Sequence, residues 1–248
     1  AALCEPGAQA NAAGHLLGGG RRWSDTNALS LQHHLGVSGF AEYTVVAARS
    51  AVKIDVDLAP EIAALFGCAV MTGVGAIVNT AKVAAGESVA VFGLGGVGLA
   101  ALLGARAAGA YPLIAVDVIA EKLVLAHELG ANICIDASRD DAVAAVREAS
   151  RGGVMYAIES VGSERVLAQA YAATRRGGTT ISVGLPAPDK MFSVPAVSLV
   201  AEERTIKGSY MGSAVPSRDL PRYIAMYRAG LLPVDRLLTH RLGLDEIN

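Results

Sequence analysis

Residues Ser88–Ala105, SVAVFGLGGVGLAALLGA, are uncharged over a length that could span a membrane. Five glycines interrupt the run (93, 95, 96, 98 and 104), its first part is valine-rich, and its second is built from Ala and Leu. A strand that breaks at glycines and turns into a helix accounts for that mixture, and a lipid-facing helix does not. Within the run, Gly93-Leu94-Gly95-Gly96-Val97-Gly98 fits GxGxxG. In a chain with 28 glycines the pattern alone says little. Here it follows a strand, opens a helix and precedes a second strand that ends in Asp117, which is the context that gives it meaning. Gly93 permits the tight turn, Gly95 lets the backbone approach a pyrophosphate, Gly96 and Val97 open the helix, and Gly98 allows helix and strand to pack closely. The helix N-terminus then offers free N–H groups and a positive dipole end to phosphates. Asp117 can accept hydrogen bonds from ribose hydroxyls and would repel a 2′-phosphate, which favours NAD over NADP. The plainer alternative is a glycine turn with Asp117 as a helix cap.

On either side the pattern is rhythmic. After the helical stretch to Ala108 come Leu113–Val116 (strand), Ala120–Leu129 (helix), Ile133–Ile135 (strand) and Asp140–Ala149 (helix). Val154–Ile158 (strand), Glu164–Ala173 (helix), Thr179–Val183 (strand) and a last strand over Thr205–Tyr210 follow. Val/Ile-rich strands alternating with helices predict βαβ units in a doubly wound, Rossmann-type parallel sheet. The first sixty residues differ. Ala1–Gly20 predicts a loop lobe and Gly39–Ile54 predicts two β segments. After Tyr210 an amphipathic helix around Leu220–Arg228 and a short extended piece near Thr239–Leu242 are expected.

Composition excludes several classes. With 21 Lys+Arg against 23 Asp+Glu the net charge is −2, without the clustered cationic face a nucleic-acid binder needs. Hydrophobic residues at 52% exclude intrinsic disorder. Three scattered cysteines form no disulfide framework, and no basic start followed by an apolar core opens the chain, so a reducing cytoplasm is the expected setting. Cys68 and Cys134 sit among apolar residues and on composition alone read as buried small hydrophobes. Adjacent His33 and His34 point apart on helix or strand and read as structural rather than as a metal site.

These residues together resemble the zinc-dependent, medium-chain alcohol dehydrogenases. The resemblance rests on the β-type Gly39–Ile54, on Gly67-Cys68 through Thr72-Gly73-Val74-Gly75, and on GLGGVG with Asp117 and Leu129-Gly130-Ala131. Glu159-Ser160-Val161-Gly162, Val183-Gly184-Leu185-Pro186 and Lys207-Gly208-Ser209 follow in the family's order. It implies a Rossmann NAD-binding domain over 70–210, the remnant of a β-rich GroES-like catalytic domain over 1–69, and a return to that domain over 211–248. It implies Cys68 as a catalytic zinc ligand and Cys4 as one of four cysteines around a structural zinc. Thr72, Val97, Lys122 and Val161 would line the cofactor site, and Val183, Ser209 and Met211 would place the nicotinamide. Leu35, Leu185 and Tyr210 would approach a small alcohol or aldehyde substrate. Phe192–Val200 would pair across a homodimer, within a dimer or tetramer. The family's remaining zinc ligands would precede Ala1, so the resemblance reads the sequence as a fragment that binds NAD without turnover. A zinc-free medium-chain reductase and a non-catalytic dinucleotide-binding protein are the alternatives.

Overall fold

The computed structural model describes residues 4–37 and 39–247. Ala1–Leu3 of the expected opening loop, Ser38 of the expected catalytic piece and Asn248 of the closing segment lie outside the described residues. Two units form, Ala1–Asp55 with Thr239–Asn248, and Val56–Leu238.

The smaller unit carries a helix where a loop is expected. It is α1 (Glu5–Ala12), whose first turn holds Glu5 and Pro6, an acidic residue and a preset φ that both suit a helix start. Ser24 and Ser30 make a single antiparallel bridge around a turn in which Asp25 Oδ1 accepts from the Asn27 and Leu29 amides. His33 is buried, and its Nε2 accepts from the Arg22 amide at 3.0 Å, so it is structural as its sequence predicts. The two β segments predicted in Gly39–Ile54 do not form: the described residues there hold no strand, only a 3₁₀ turn at Ala48–Ser50. The expected β-rich remnant is therefore not seen as a sheet. Alternation gives a segment β propensity, but a strand exists only where another strand pairs with it, and Phe40, Tyr43 and Val45 stay exposed. Thr239–Leu242 is likewise irregular and leads to a 3₁₀ turn at Leu244–Glu246.

The larger unit begins with a helix over Pro60–Ala81, long and apolar enough to cross a membrane by length and composition. It has two α segments, α2 (Pro60–Leu65) and α3 (Met71–Gly75), separated by a π-turn at Phe66–Val70 and ended by another at Ala76–Ala81. Val70–Ile77 is buried throughout. Then come β1 (Val89–Phe92), α4 (Gly96–Ala107), β2 (Leu113–Asp117), α5 (Ala120–Glu128) and β3 (Ile133–Asp136). The second half holds α6 (Ala142–Ala149), β4 (Val154–Glu159), α7 (Glu164–Ala173), β5 (Thr174–Ser182), α8 (Ala196–Ala201), β6 (Thr205–Gly208) and α9 (Pro216–Arg228). Ser88–Ala105 thus resolves into strand, glycine turn and helix.

The six strands form one parallel sheet in the order β3-β2-β1-β4-β5-β6. This is the doubly wound order, with the chain reversing direction across the sheet between β1 and β4. β1 and β2 are buried at every residue, as strands covered on both faces must be. β5 starts five residues earlier than predicted. Arg175–Gly178 bulges out between Thr174, paired with Val154, and Thr179, paired with Tyr156, so a turn-like RRGG lies inside the strand. Register aligns the carboxyl ends: Phe92 stands beside Val116 and Glu159, Glu159 beside Ser182, and Ser182 beside Gly208. The residues that follow these ends therefore share one rim.

Candidate cofactor site

At the rim's centre Gly93 leaves β1 at φ +89°, and its amide donates to the Val116 carbonyl at 2.8 Å. A Cβ on Gly93 would stand 2.5 Å from Val161 Cγ2, and one on Gly98 would stand 1.8 Å from the Gly93 carbonyl oxygen. Only hydrogen fits at either place, and that is what seats the start of α4 directly on the turn. Ser160 Oγ donates to the Gly93 carbonyl at 2.9 Å and fixes the turn from β4. Gly95 is different. It caps α4 in extended conformation without a side-chain cap, and a Cβ there would meet nothing within 4 Å. Gly95 and Gly96 are exposed, and the first N–H groups of α4, which have no partner within the helix, lie at the positive end of its dipole. A pyrophosphate fits that cradle.

Asp117 ends β2 beside the turn, with 9% of its surface exposed. Its Oδ2 accepts from the Leu94 amide at 2.6 Å, and its Oδ1 from the Val118 and Ile119 amides at 2.8 and 3.0 Å. A carboxylate has about four lone-pair sites; three are occupied, which leaves one on Oδ2. Asp117 therefore ties the glycine turn to the β2–α5 turn and retains room for one further donor. Lys122 follows in the first turn of α5.

Across the switch point, Glu159 ends β4 almost wholly buried. Its Oε1 accepts from the Val161 and Gly162 amides, both at 2.7 Å. Burial pushes its carboxyl above the usual range, against the opposing pull of these N–H groups. The loop it shapes carries exposed Val161, and the Val183 amide donates back to the Glu159 carbonyl at 2.8 Å. Past β6, the buried Ser209 donates its amide to the Ser182 carbonyl at 2.9 Å. Met211, Gly212 and Ser213 then take three successive left-handed conformations, with φ of 50°, 64° and 50°. Thr72 Oγ1 approaches Met211 Sδ at 3.9 Å.

The sequence-derived residues of the larger unit thus share the rim: Gly93, Gly95, Gly96, Val97, Gly98, Asp117, Lys122, Val161, Val183, Ser209 and Met211, with Thr72 touching the last. Leu185 and Tyr210 follow the ends of β5 and β6 and are exposed. Leu35 belongs to the smaller unit, exposed at φ +54°. Glu159 enters the sequence reading only within Glu159-Ser160-Val161-Gly162 and is given no role there, although an acidic residue closing an apolar strand is the signal that singled out Asp117.

Cys68 is exposed on the π-turn of the Pro60–Ala81 helix, not buried as its apolar neighbours suggest. Cys134 is half-buried, its thiol donates to the Leu123 carbonyl at 3.3 Å, and burial raises its pKa, so it is structural. Cys4 is exposed at the N-cap of α1. Among the described residues, no three His, Cys, Asp or Glu side chains come together as a metal site. A tetrahedral catalytic zinc takes three protein ligands, so the described residues do not by themselves fit one.

Residues 96–229 match the family model described as zinc-binding dehydrogenase. The chain belongs to the zinc-binding dehydrogenase family. It is 40% identical over 214 residues to the geraniol dehydrogenase of Castellaniella defragrans, covering 86% of this chain and 57% of that relative. The chain therefore spans less than two thirds of that relative's length. The crystal structure of an alcohol dehydrogenase zinc-binding domain protein from Burkholderia ambifaria superposes with a TM-score of 0.88 at 33% identity, covering all of this chain and 70% of that one. A protein from Sinorhizobium meliloti 1021 solved bound to NADP superposes with a TM-score of 0.75 at 26% identity, over 89% of this chain and 63% of the other.

Proposed function

We propose that this zinc-binding dehydrogenase chain binds NAD along the carboxyl rim of its sheet and serves hydride transfer between a small alcohol or aldehyde and the nicotinamide. The observation that carries the reading is the open cradle at Gly95 beside a carboxylate at the end of β2, placed at the switch point of the sheet. Gly93–Gly98 hold the pyrophosphate on the N-terminus of α4. Asp117 takes the adenosine ribose with its remaining acceptor site and disfavours a 2′-phosphate. One structural neighbour holds NADP, so the preference for NAD rests on Asp117 alone. The nicotinamide lies over the ends of β4, β5 and β6, against Val161, Val183, Ser209 and Met211.

Zinc acts in such chemistry as a Lewis acid on the substrate oxygen. Cys68 is the thiolate this chain would contribute, and Cys4 would serve a second, structural zinc. Since the described residues complete neither set, the chain's own part is to bind and orient the cofactor. On this reading the chain alone binds NAD without turnover. The rest of the proposal is a homodimer or homotetramer working in the cytoplasm, with no nucleic acid or membrane as partner. Exposed Val197 and Val200 on α8 support a second copy meeting Phe192–Val200.

The test is deuterium transfer from a labelled primary alcohol, geraniol among them, to NAD by zinc-loaded protein in which a complete set of zinc ligands accompanies this chain. Label on the reduced nicotinamide is the expected result. A protein that binds both NADH and zinc yet moves no hydride from primary or aromatic alcohols would be a non-catalytic binder. One that transfers hydride without zinc would be a zinc-free reductase.

A further inference from the structure

Three consecutive left-handed residues are costly where two of them carry side chains, because Cβ crowds the following carbonyl. Met211, Gly212 and Ser213 adopt them all the same, and each is tied to the single helix Pro60–Ala81. Thr72 meets Met211, Asn79 Nδ2 donates to the Gly212 carbonyl at 3.2 Å, and Thr80 Oγ1 donates to Ser213 Oγ at 3.0 Å. Thr80 also lies 2.8 Å from Ser209 Oγ, so one hydroxyl grips the chain on both sides of Tyr210. The contact is close along its length. A Cβ on Gly75 would stand 2.5 Å from the Gly212 carbonyl oxygen, and one on Gly212 would stand 2.4 Å from that of Met71.

Asn79 is itself held from behind. Its amide reaches Tyr223 Oη at 3.3 Å and Asp219 Oδ2 at 3.5 Å, both residues being wholly buried. Asp219 in turn accepts the Val215 amide at 2.8 Å and two bonds from the Arg218 guanidinium, each 2.8 Å. An amide tied to the wholly buried Tyr223 and Asp219 has little freedom to release the turn.

We infer that Asn79 and Thr80 are positioning residues, holding the Met211–Ser213 turn in the shape that receives the nicotinamide end of the cofactor. The inference rests on the proposed cofactor reading. Neither residue reaches the glycine turn or Asp117, so their effect is confined to the β6 end of the rim.

The experiment titrates the chain with NADH and with ADP-ribose, which keeps the adenosine and pyrophosphate but lacks the nicotinamide. It compares the unmutated chain with Asn79→Ala and Thr80→Val. Loss of one such hydrogen bond should weaken NADH roughly three- to tenfold and leave ADP-ribose within about twofold. Equal weakening of both ligands, or of neither, overturns the inference. Should Asn79→Ala not fold, the half-buried Thr80→Val decides by the same ratio. An unmutated chain that binds neither ligand overturns the cofactor reading and this inference with it. One that binds ADP-ribose but gains nothing from the nicotinamide overturns the inference alone.

Discussion

Gly95→Ala separates binding from folding. Gly95 has φ −72°, an ordinary value, and an added Cβ meets nothing within 4 Å. Alanine is a poorer N-cap than glycine, which costs about 0.5–1 kcal/mol. Against that, the stiffer unfolded chain contributes about 0.4–1 kcal/mol. The two nearly cancel, and at about 2–4 °C per kcal/mol for a unit of this size Tm should move by less than about 2 °C. The new methyl group, however, stands where the pyrophosphate must approach the backbone. Losing one N–H bond to a charged phosphate removes about 1.5–3 kcal/mol, a roughly ten- to hundredfold rise in the Kd for NADH. Thermal melting and NADH fluorescence titration read the two effects separately. Gly98→Ala is the contrast: its Cβ would lie 1.8 Å from the Gly93 carbonyl oxygen, and overpacking of that kind costs about 1–3 kcal/mol, so Tm and binding fall together. A Gly95→Ala chain that binds NADH as tightly as the unmutated one would refute the cradle.

Other outcomes follow from the same geometry. Asp117→Ala leaves the Leu94, Val118 and Ile119 amides without their acceptor, so melting should show a loss of about 2 kcal/mol while titrations show weaker NADH binding and a narrower NADH/NADPH gap. The Arg218 guanidinium holds the Asp219 carboxyl below its usual range. A depressed carboxylate stabilises the fold above its unfolded pKa and loses that contribution as pH falls through the folded one. Denaturant melts of the chain should therefore weaken on acidification below about pH 4, with a shallower slope in Asp219→Asn. Glu159 has the opposite sign: its raised pKa makes stability decline as pH rises through the window above about pH 4.3, and Glu159→Gln should flatten that decline. With a disulfide reagent, exposed Cys4 and Cys68 should react at once and Cys134 slowly.

Much of the larger unit was legible in the sequence because its signals are local. Valine runs mark buried parallel strands, Gly93 and Gly98 mark a turn that tolerates no side chain, and Asp117 marks the end of β2. The misses share a physical cause. Gly39–Ile54 has a β-type composition, but pairing is a property of two segments and cannot be read from one. Glu5 and Pro6 were a helix start hidden in a Gly/Ala-rich stretch. The bulge at Arg175–Gly178 looks like a turn because it is one, inserted into a continuing strand. Asn79 and Thr80 carry no signal of their own, since their partners lie more than a hundred residues away and meet them only when β6 has been laid against the sheet.

The central claim is that this rim binds NAD and that Asp117 sets the preference. Parallel equilibrium titrations of the unmutated chain with NADH and NADPH test it most directly. Saturable binding at one site, tighter for NADH, is the result expected if the proposed function holds. Equal affinity for the two nucleotides would remove Asp117 from its assigned role, and no saturable binding of either would contradict the account.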